Sequence, residues 1–351
     1  MTADIETPAV LIDLDIVEAN IAAAQAQFDA LGVQFRPHIK THKIPRLARL
    51  QLREGAHGIA VQKLSEAEVF AAEGFDDILL CFNLLSPAKI QRLRILASAC
   101  SLTVVADNLE TVKALSAGFA NSTKKLAVLV ECDTGMGRCG VQSPQAAADL
   151  ARAIDTAPGL RFEGLLTYPA HGGEAAVQSF MSAAKTLCIA ATGHCATISS
   201  GGTPTMANAA LAPVVTEYRA GTYIYNDRSL VAGGACGWHD CALTVLATVV
   251  SRPNATRAVL DAGSKSLTSD LLGLQGYGHV VEYPTAQITA LSEEHAVLTL
   301  SPDHPGPAVG EKVHVIPNHA CPVSNLVDKI HLHRSGTPAG EQQVSARGCV
   351  N

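Results

Sequence analysis

From residue 32 to residue 220 the chain alternates short apolar runs with segments of helical period, and few folds accept that alternation eight times over. The runs fall at 32–35, 58–61, 78–81, 102–106, 126–132, 162–168, 196–200 and 217–220. Between them, stretches such as Leu64-Ser65-Glu66-Ala67-Glu68-Val69-Phe70 and 146–154 place apolar residues every three or four positions. Eight strand–helix units in roughly 200 residues close into a (β/α)8 barrel more readily than they spread into an open sheet. The expected fold is therefore α/β, with a barrel over residues 15–230.

From Cys241 onward the helical period fades. Runs at 242–250, 257–260, 286–291, 296–300, 312–316 and 329–333 are separated by Pro and Gly turns, the pattern of an all-β domain. Residues 7–14 also read as a strand and can pair with this C-terminal sheet. The second domain is accordingly expected to comprise residues 1–14 and 231–351.

The composition supports this division. With 351 residues, 48% hydrophobic and 17% charged, the chain can bury the cores of two domains. A net charge of -6 without a basic tail argues against nucleic acid as a partner. The acidic start Met1-Thr2-Ala3-Asp4-Ile5-Glu6 and the absence of a long apolar stretch point to a cytoplasmic protein without membrane contact. Ten cysteines with no C-x-x-C pair read as reduced thiols, most of them small core residues.

Barrel chemistry gathers where the strands end. After the first strand stands Arg36-Pro37-His38-Ile39-Lys40-Thr41-His42-Lys43. A lysine crowded by an arginine and two histidines is a candidate nucleophile, because like charges favour the neutral amine that Schiff-base chemistry needs. Later strand ends carry Gln62-Lys63, Asn83, the run from Glu131 to Gly140, and Tyr168 with His171-Gly172-Gly173. The last two strands end in Ser199-Ser200-Gly201-Gly202-Thr203 and Arg219-Ala220-Gly221-Thr222-Tyr223. Glycines there let backbone approach an anion, and the hydroxyls of Ser200, Thr203 and Thr222 add donors, so these loops form a phosphate cradle. A phosphate opposite a reactive lysine points to pyridoxal 5'-phosphate. In the second domain His319 and Cys321, two apart on an expected extended segment, can project to one side, and imidazole with thiolate is a zinc-preferring pair.

These motifs together resemble a known family. The segment Arg36 to Lys43, Val61-Gln62-Lys63-Leu64-Ser65-Glu66-Ala67, Gly137-Arg138-Cys139-Gly140, Ser200-Gly201-Gly202-Thr203 and Pro317-Asn318-His319-Ala320-Cys321-Pro322 look like the metal-activated D-threonine aldolases and D-serine dehydratases. Those are fold-type III pyridoxal-phosphate enzymes with an alanine-racemase-type barrel. The resemblance runs from about Thr7 to the end. It implies that Lys40 carries the cofactor, that Arg138 sits near its phenolic oxygen and that Tyr168 lies against its pyridine ring. Gly201, Gly202, Gly221 and Thr222 would hold the phosphate, and Arg219 would face the pyridine nitrogen. His42 would orient Lys40 or reach the substrate, while Asp261 and Lys265 would face a neighbouring subunit's site. It further implies a divalent ion on His319 and Cys321, zinc or alternatively manganese or magnesium, and a homodimer.

The implied substrate is a β-hydroxy-D-amino acid. The thiolate ligand favours β-elimination to a 2-oxo acid and ammonia over the alternative, retro-aldol cleavage to glycine and an aldehyde. A non-catalytic carrier of pyridoxal phosphate is the third reading, which the second domain and the His-x-Cys pair oppose. His57, His194, His239, His304, His314, His331 and His333 stand outside any constellation and are expected at the surface or in packing. Cys236 and Cys241 flank Trp238-His239-Asp240 without a further ligand.

Overall fold

The structure, a computed structural model, describes residues 4–302 and 306–351. His304 therefore lies outside the described residues. The chain separates into two compact units, one of residues 24–40, 45–221 and 349–351, the other of residues 4–23, 41–44 and 222–348.

The strands in chain order are β1 (Ala9–Asp13), β2 (Gln34–Pro37), β3 (Ile59–Val61), β4 (Asp77–Leu80), β5 (Ser101–Ala106), β6 (Leu126–Cys132), β7 (Leu160–Thr167), β8 (Thr197–Ser200) and β9 (Glu217–Ala220). They continue with β10 (Leu243–Asn254), β11 (Arg257–Leu260), β12 (His279–Val280), β13 (Gln287–Leu291), β14 (Ala296–Thr299), β15 (Lys312–Ile316), β16 (Lys329–Arg334) and β17 (Thr337–Gln343). The first barrel strand starts two residues later than its apolar run suggests. Gly32, at φ 64, ends the helix Leu14–Leu31 with a left-handed turn and so belongs to the connection.

In the first unit β2 to β9 pair in parallel in the order β2-β9-β8-β7-β6-β5-β4-β3. A parallel bridge between His38 and Ala60 joins the two ends and closes the ring. Inside it Ala60, Leu79, Val105, Leu129 and Leu166 form one apolar layer. β7 carries a bulge where Gly164 meets Leu129, and any Cβ there would lie 1.9 Å from the carbonyl oxygen of Thr197 on β8.

The second unit is built on mixed strands in the order β13-β14-β11-β10-β1-β16-β17, with β15 on β10 and β12 on β15. β1 pairs antiparallel with β10 and parallel with β16, which seats the N-terminal segment inside this sheet. Among the described residues no helix is long and apolar enough to cross a membrane.

The basic segment after β2 is less uniform than its sequence suggests. Arg36 is buried in the barrel wall, where its Nε donates to Glu217 Oε2 at 2.6 Å and its Nη1 to Asp77 Oδ1 at 2.8 Å. It is a structural ion pair, not part of a cationic cluster. Removing one partner of a buried pair strands the other charge in a low dielectric. Arg36→Ala is expected to cost about 3–5 kcal/mol, read from the urea unfolding midpoint. A loss below about 1 kcal/mol would put the pair on a level with surface bridges.

Candidate active site

In the barrel unit the apolar layer dictates what lies above it, because inward residues recur every second position along a strand. Two residues beyond the layer, at or just past the strand ends, stand Gln62, Cys81, Asp107, Glu131 and Tyr168. Their charges sense one another. Burial pushes the Cys81 thiol up to about 11, with Arg219 and Lys40 opposing the shift and Glu131 and Glu217 reinforcing it.

Lys40 sits half-buried in the short 3-10 turn Ile39–Thr41 that follows β2, and its amide donates to Nδ1 of His38 at 3.4 Å. The nearby Lys63 is engaged elsewhere, with its ammonium 3.7 Å from the centre of the Phe82 ring. Arg219 on β9 is buried, donating through Nη1 to Ser199 Oγ at 2.6 Å and through Nη2 to the Thr167 carbonyl at 2.9 Å. The Ser199 hydroxyl in turn donates to Glu217 Oε1 at 2.5 Å, so a chain of polar contacts links β7, β8, β9 and β2.

Arg138 and Tyr168 come together, the guanidinium lying 4.8 Å from the ring centre. The loop carrying Arg138 is shaped by Asp133, whose Oδ1 accepts the amides of Gly135 and Gly137 at 2.9 and 3.1 Å. Those amides hold the Asp133 carboxyl below its usual range. Beneath it Glu131 is buried, and burial raises its carboxyl, with Asp107 adding to the rise and Arg138 and Arg219 opposing it. One acceptor or thiol atom each from Asp107, Glu131 and Cys139 lies within 4.8 Å of the others.

The Ser200 to Thr203 loop runs against two aromatic rings. Gly201 has φ +117, and a Cβ there would lie 2.5 Å from the Tyr218 ring. Gly202 is extended, and its Cβ would lie 3.1 Å from Tyr168. Gly201 thus excludes a side chain and Gly202 leaves little room for one, which puts backbone beside Tyr168, and with Lys40, Arg138 and Gly221 on the same unit the residues fit a phosphorylated pyridine aldehyde.

The second unit holds His42, Thr222, His319 and Cys321. His42 is fully buried, its Nδ1 accepting the Ile44 amide at 3.0 Å and its ring edge-on to Tyr225. The hydroxyl of Thr222 lies 3.4 Å from Cys321 Sγ, and that of Thr41 3.1 Å from it.

His319 and Cys321 are not on an extended segment. The chain leaves β15, turns at Pro317 and Asn318, and enters the helix Ala320–Leu326 with His319 as its N-cap residue and Cys321 in its first turn. Pro322 is tolerated there because first-turn amides have no intrahelical partner. Fully buried Asp227 accepts the Ala320 amide at 3.0 Å, Arg228 holds Asn318 Oδ1 at 2.9 Å, and Asn318 donates to the carbonyls of Asp270 and Gly276. Asp270 Oδ2 lies 3.0 Å from His319 Nδ1, which leaves Nε2 for a metal. Burial works to lower the His319 imidazole, but the hydrogen bond and charge of Cys321, then Asp270 and Asp227, carry it up to about 9. An oriented imidazole beside a thiol fits a zinc-type ion.

Asp227 and Asp270 escaped the sequence reading because they lie 93 and 49 residues from the groups they hold. Asp261 accepts the Thr248 amide and the Thr7 hydroxyl, and Lys265 pairs with Glu293 and Glu294. Of the remaining histidines, His194 meets the Phe162 carbonyl, His314 meets Glu282 and His333 lies by Asp13, as packing and surface residues do.

Two family models match the chain. Residues 12–229 match the family model of the alanine racemase N-terminal domain, and residues 242–333 that of a putative serine dehydratase domain. The chain is 35% identical to a D-threonine aldolase of Arthrobacter sp, over 99% of this chain and 94% of that one. It is 32% identical to the D-threo-3-hydroxyaspartate dehydratase of Delftia sp. (strain HT23), over 90% of this chain and 91% of that one. The crystal structure of D-threonine aldolase from Filomicrobium marinum superposes with a TM-score of 0.90 at 32% identity, covering 99% of this chain and 98% of that one.

Proposed function

The chain belongs to the family of D-threonine aldolases and D-serine dehydratases built on an alanine-racemase-type barrel, and from that premise we propose that it is a pyridoxal-phosphate-dependent lyase that dehydrates β-hydroxy-D-amino acids. The observation that carries the reading is the His319 and Cys321 pair, with Asp270 fixing the imidazole. Pyridoxal phosphate, when bound, supplies an electron sink for charge developing at the substrate α-carbon. Lys40 would carry it, and its freed amine would take the α-proton. Arg138 and Tyr168 would border its ring, Ser200, Gly201, Gly202, Thr203 and Gly221 its phosphate. Arg219, held by Ser199 and Thr167, would present a fixed positive charge towards the ring nitrogen.

A divalent ion on His319 and Cys321 would supply Lewis acidity towards a β-hydroxyl. The thiol favours zinc over manganese or magnesium. Loss of water across Cα–Cβ and hydrolysis of the product give a 2-oxo acid and ammonia. Retro-aldol cleavage to glycine and an aldehyde is the second reading, favoured by the 35% identity to a D-threonine aldolase. We also propose a cytoplasmic homodimer in which the β domain of each chain covers the barrel of the other. A fully active monomer in sedimentation velocity would oppose the dimer.

The deciding experiment incubates the protein, pyridoxal phosphate and zinc with D-serine, D-threonine and D-threo-3-hydroxyaspartate. Oxo acid with ammonia is expected; glycine with aldehyde would replace dehydration by aldol cleavage. Lys40→Ala should remove both the visible absorption of lysine-bound cofactor and all turnover. If that band survived and vanished in Lys63→Ala instead, another lysine would be the carrier. Asp270→Ala should weaken zinc binding by about 10- to 100-fold in a chelator competition while leaving cofactor absorption intact. Unchanged zinc affinity would remove Asp270 from the site.

A further inference from the structure

We propose that Tyr218 is the positioning residue of the phosphate loop, and that it sets the preference of the barrel for a phosphorylated over an unphosphorylated cofactor. This inference rests on the pyridoxal-phosphate reading of the barrel. Tyr218 lies on β9, 4% exposed, and its ring is held from one side by a stack of aromatic rings. Its centroid is 4.5 Å from that of Phe28, which is 4.7 Å from that of Phe35. Gly201 lies against the same ring, close enough that any Cβ would collide with it.

The phenol then addresses the next peptide. It donates to the Gly202 carbonyl at 3.0 Å, stands 3.5 Å from the Gly202 amide and lies 3.0 Å from Thr205 Oγ1. Thr205 Oγ1 adds a longer contact, 3.4 Å, to the same carbonyl. A Gly-Gly pair has more backbone freedom to lose than any other dipeptide, so amides that cradle an anion there need an external hold. Tyr218 touches both glycines, its ring lying against Gly201 and its hydroxyl on the Gly202 carbonyl. Burial raises the phenol, with the charge of Glu174 adding to the rise and the hydrogen bonds to Thr205 and Gly202 opposing it. A cavity of about 10 Å³, the size of a single water, is lined by Glu174, Ser200, Thr205 and Tyr218.

Tyr218→Phe keeps the ring stack and removes the hydroxyl alone. The test prepares the apoprotein and titrates it with pyridoxal phosphate and with pyridoxal, following cofactor absorbance and the thermal unfolding of the apo form. Wild type should prefer pyridoxal phosphate strongly. Tyr218→Phe should weaken pyridoxal phosphate by about ten- to a hundredfold and leave pyridoxal unchanged, the scale of one buried hydrogen bond. An equal loss for both ligands, or an unchanged ratio of the two, overturns the inference while leaving the cofactor reading in place. A wild type that does not discriminate overturns the cradle itself. Should Tyr218→Phe unfold, Thr205→Val, which removes the second hydroxyl near Gly202, should show the same selective loss to a smaller degree, and an unchanged ratio there overturns the proposal.

Discussion

Closure of eight short parallel strands into a ring is the constraint from which the barrel's chemistry descends. Once His38 bridges Ala60, every strand has two neighbours, and each inward side chain is assigned to a layer by its distance along the strand. Small and branched residues fill one layer from Ala60 to Leu166. The next inward positions then fall at the strand ends, at Cys81, Glu131 and Tyr168. A one-residue slip in any strand would exchange wall and interior, so packing of the apolar layer holds the polar one in place.

The polar chain through Arg219, Ser199, Glu217 and Arg36 shows how such an interior remains stable. Each buried charge has an opposite charge or a hydrogen-bond partner within 3 Å. Arg219 is thereby fixed in orientation before any ligand arrives. In the other unit Asp227 plays the equivalent part. It is fully buried, begins the short helix Arg228–Ala232 by accepting the Leu230 amide, and accepts the Ala320 amide with its other oxygen. One carboxylate thus ties the helix Arg228–Ala232 to the segment that carries Asn318, His319 and Cys321.

Much of this was legible before any coordinates. The barrel strands, the strand ends that carry Lys40, Arg138, Tyr168 and the Ser200 to Thr203 loop, and the membership of 7–14 in the C-terminal sheet follow from periodicity and turn residues. The errors have physical causes. Arg36 reads as one of a basic cluster because its partner Glu217 is 181 residues away. The His319 segment reads as extended because a strand precedes it; Pro322, a residue suited to a helix's first turn, was the available signal to the contrary.

The chain's own order of residues determined its elements, the side each strand turns inward and the chemical types gathered at the strand ends, because these depend on spacing along one backbone. Tertiary structure decided which partners restrain those groups. Asp270 on His319, Asp227 on Ala320 and Tyr218 on Gly202 meet across 49, 93 and 16 residues of chain. Such contacts cost loop entropy that only the packed core offsets, so no local pattern in the sequence reports them.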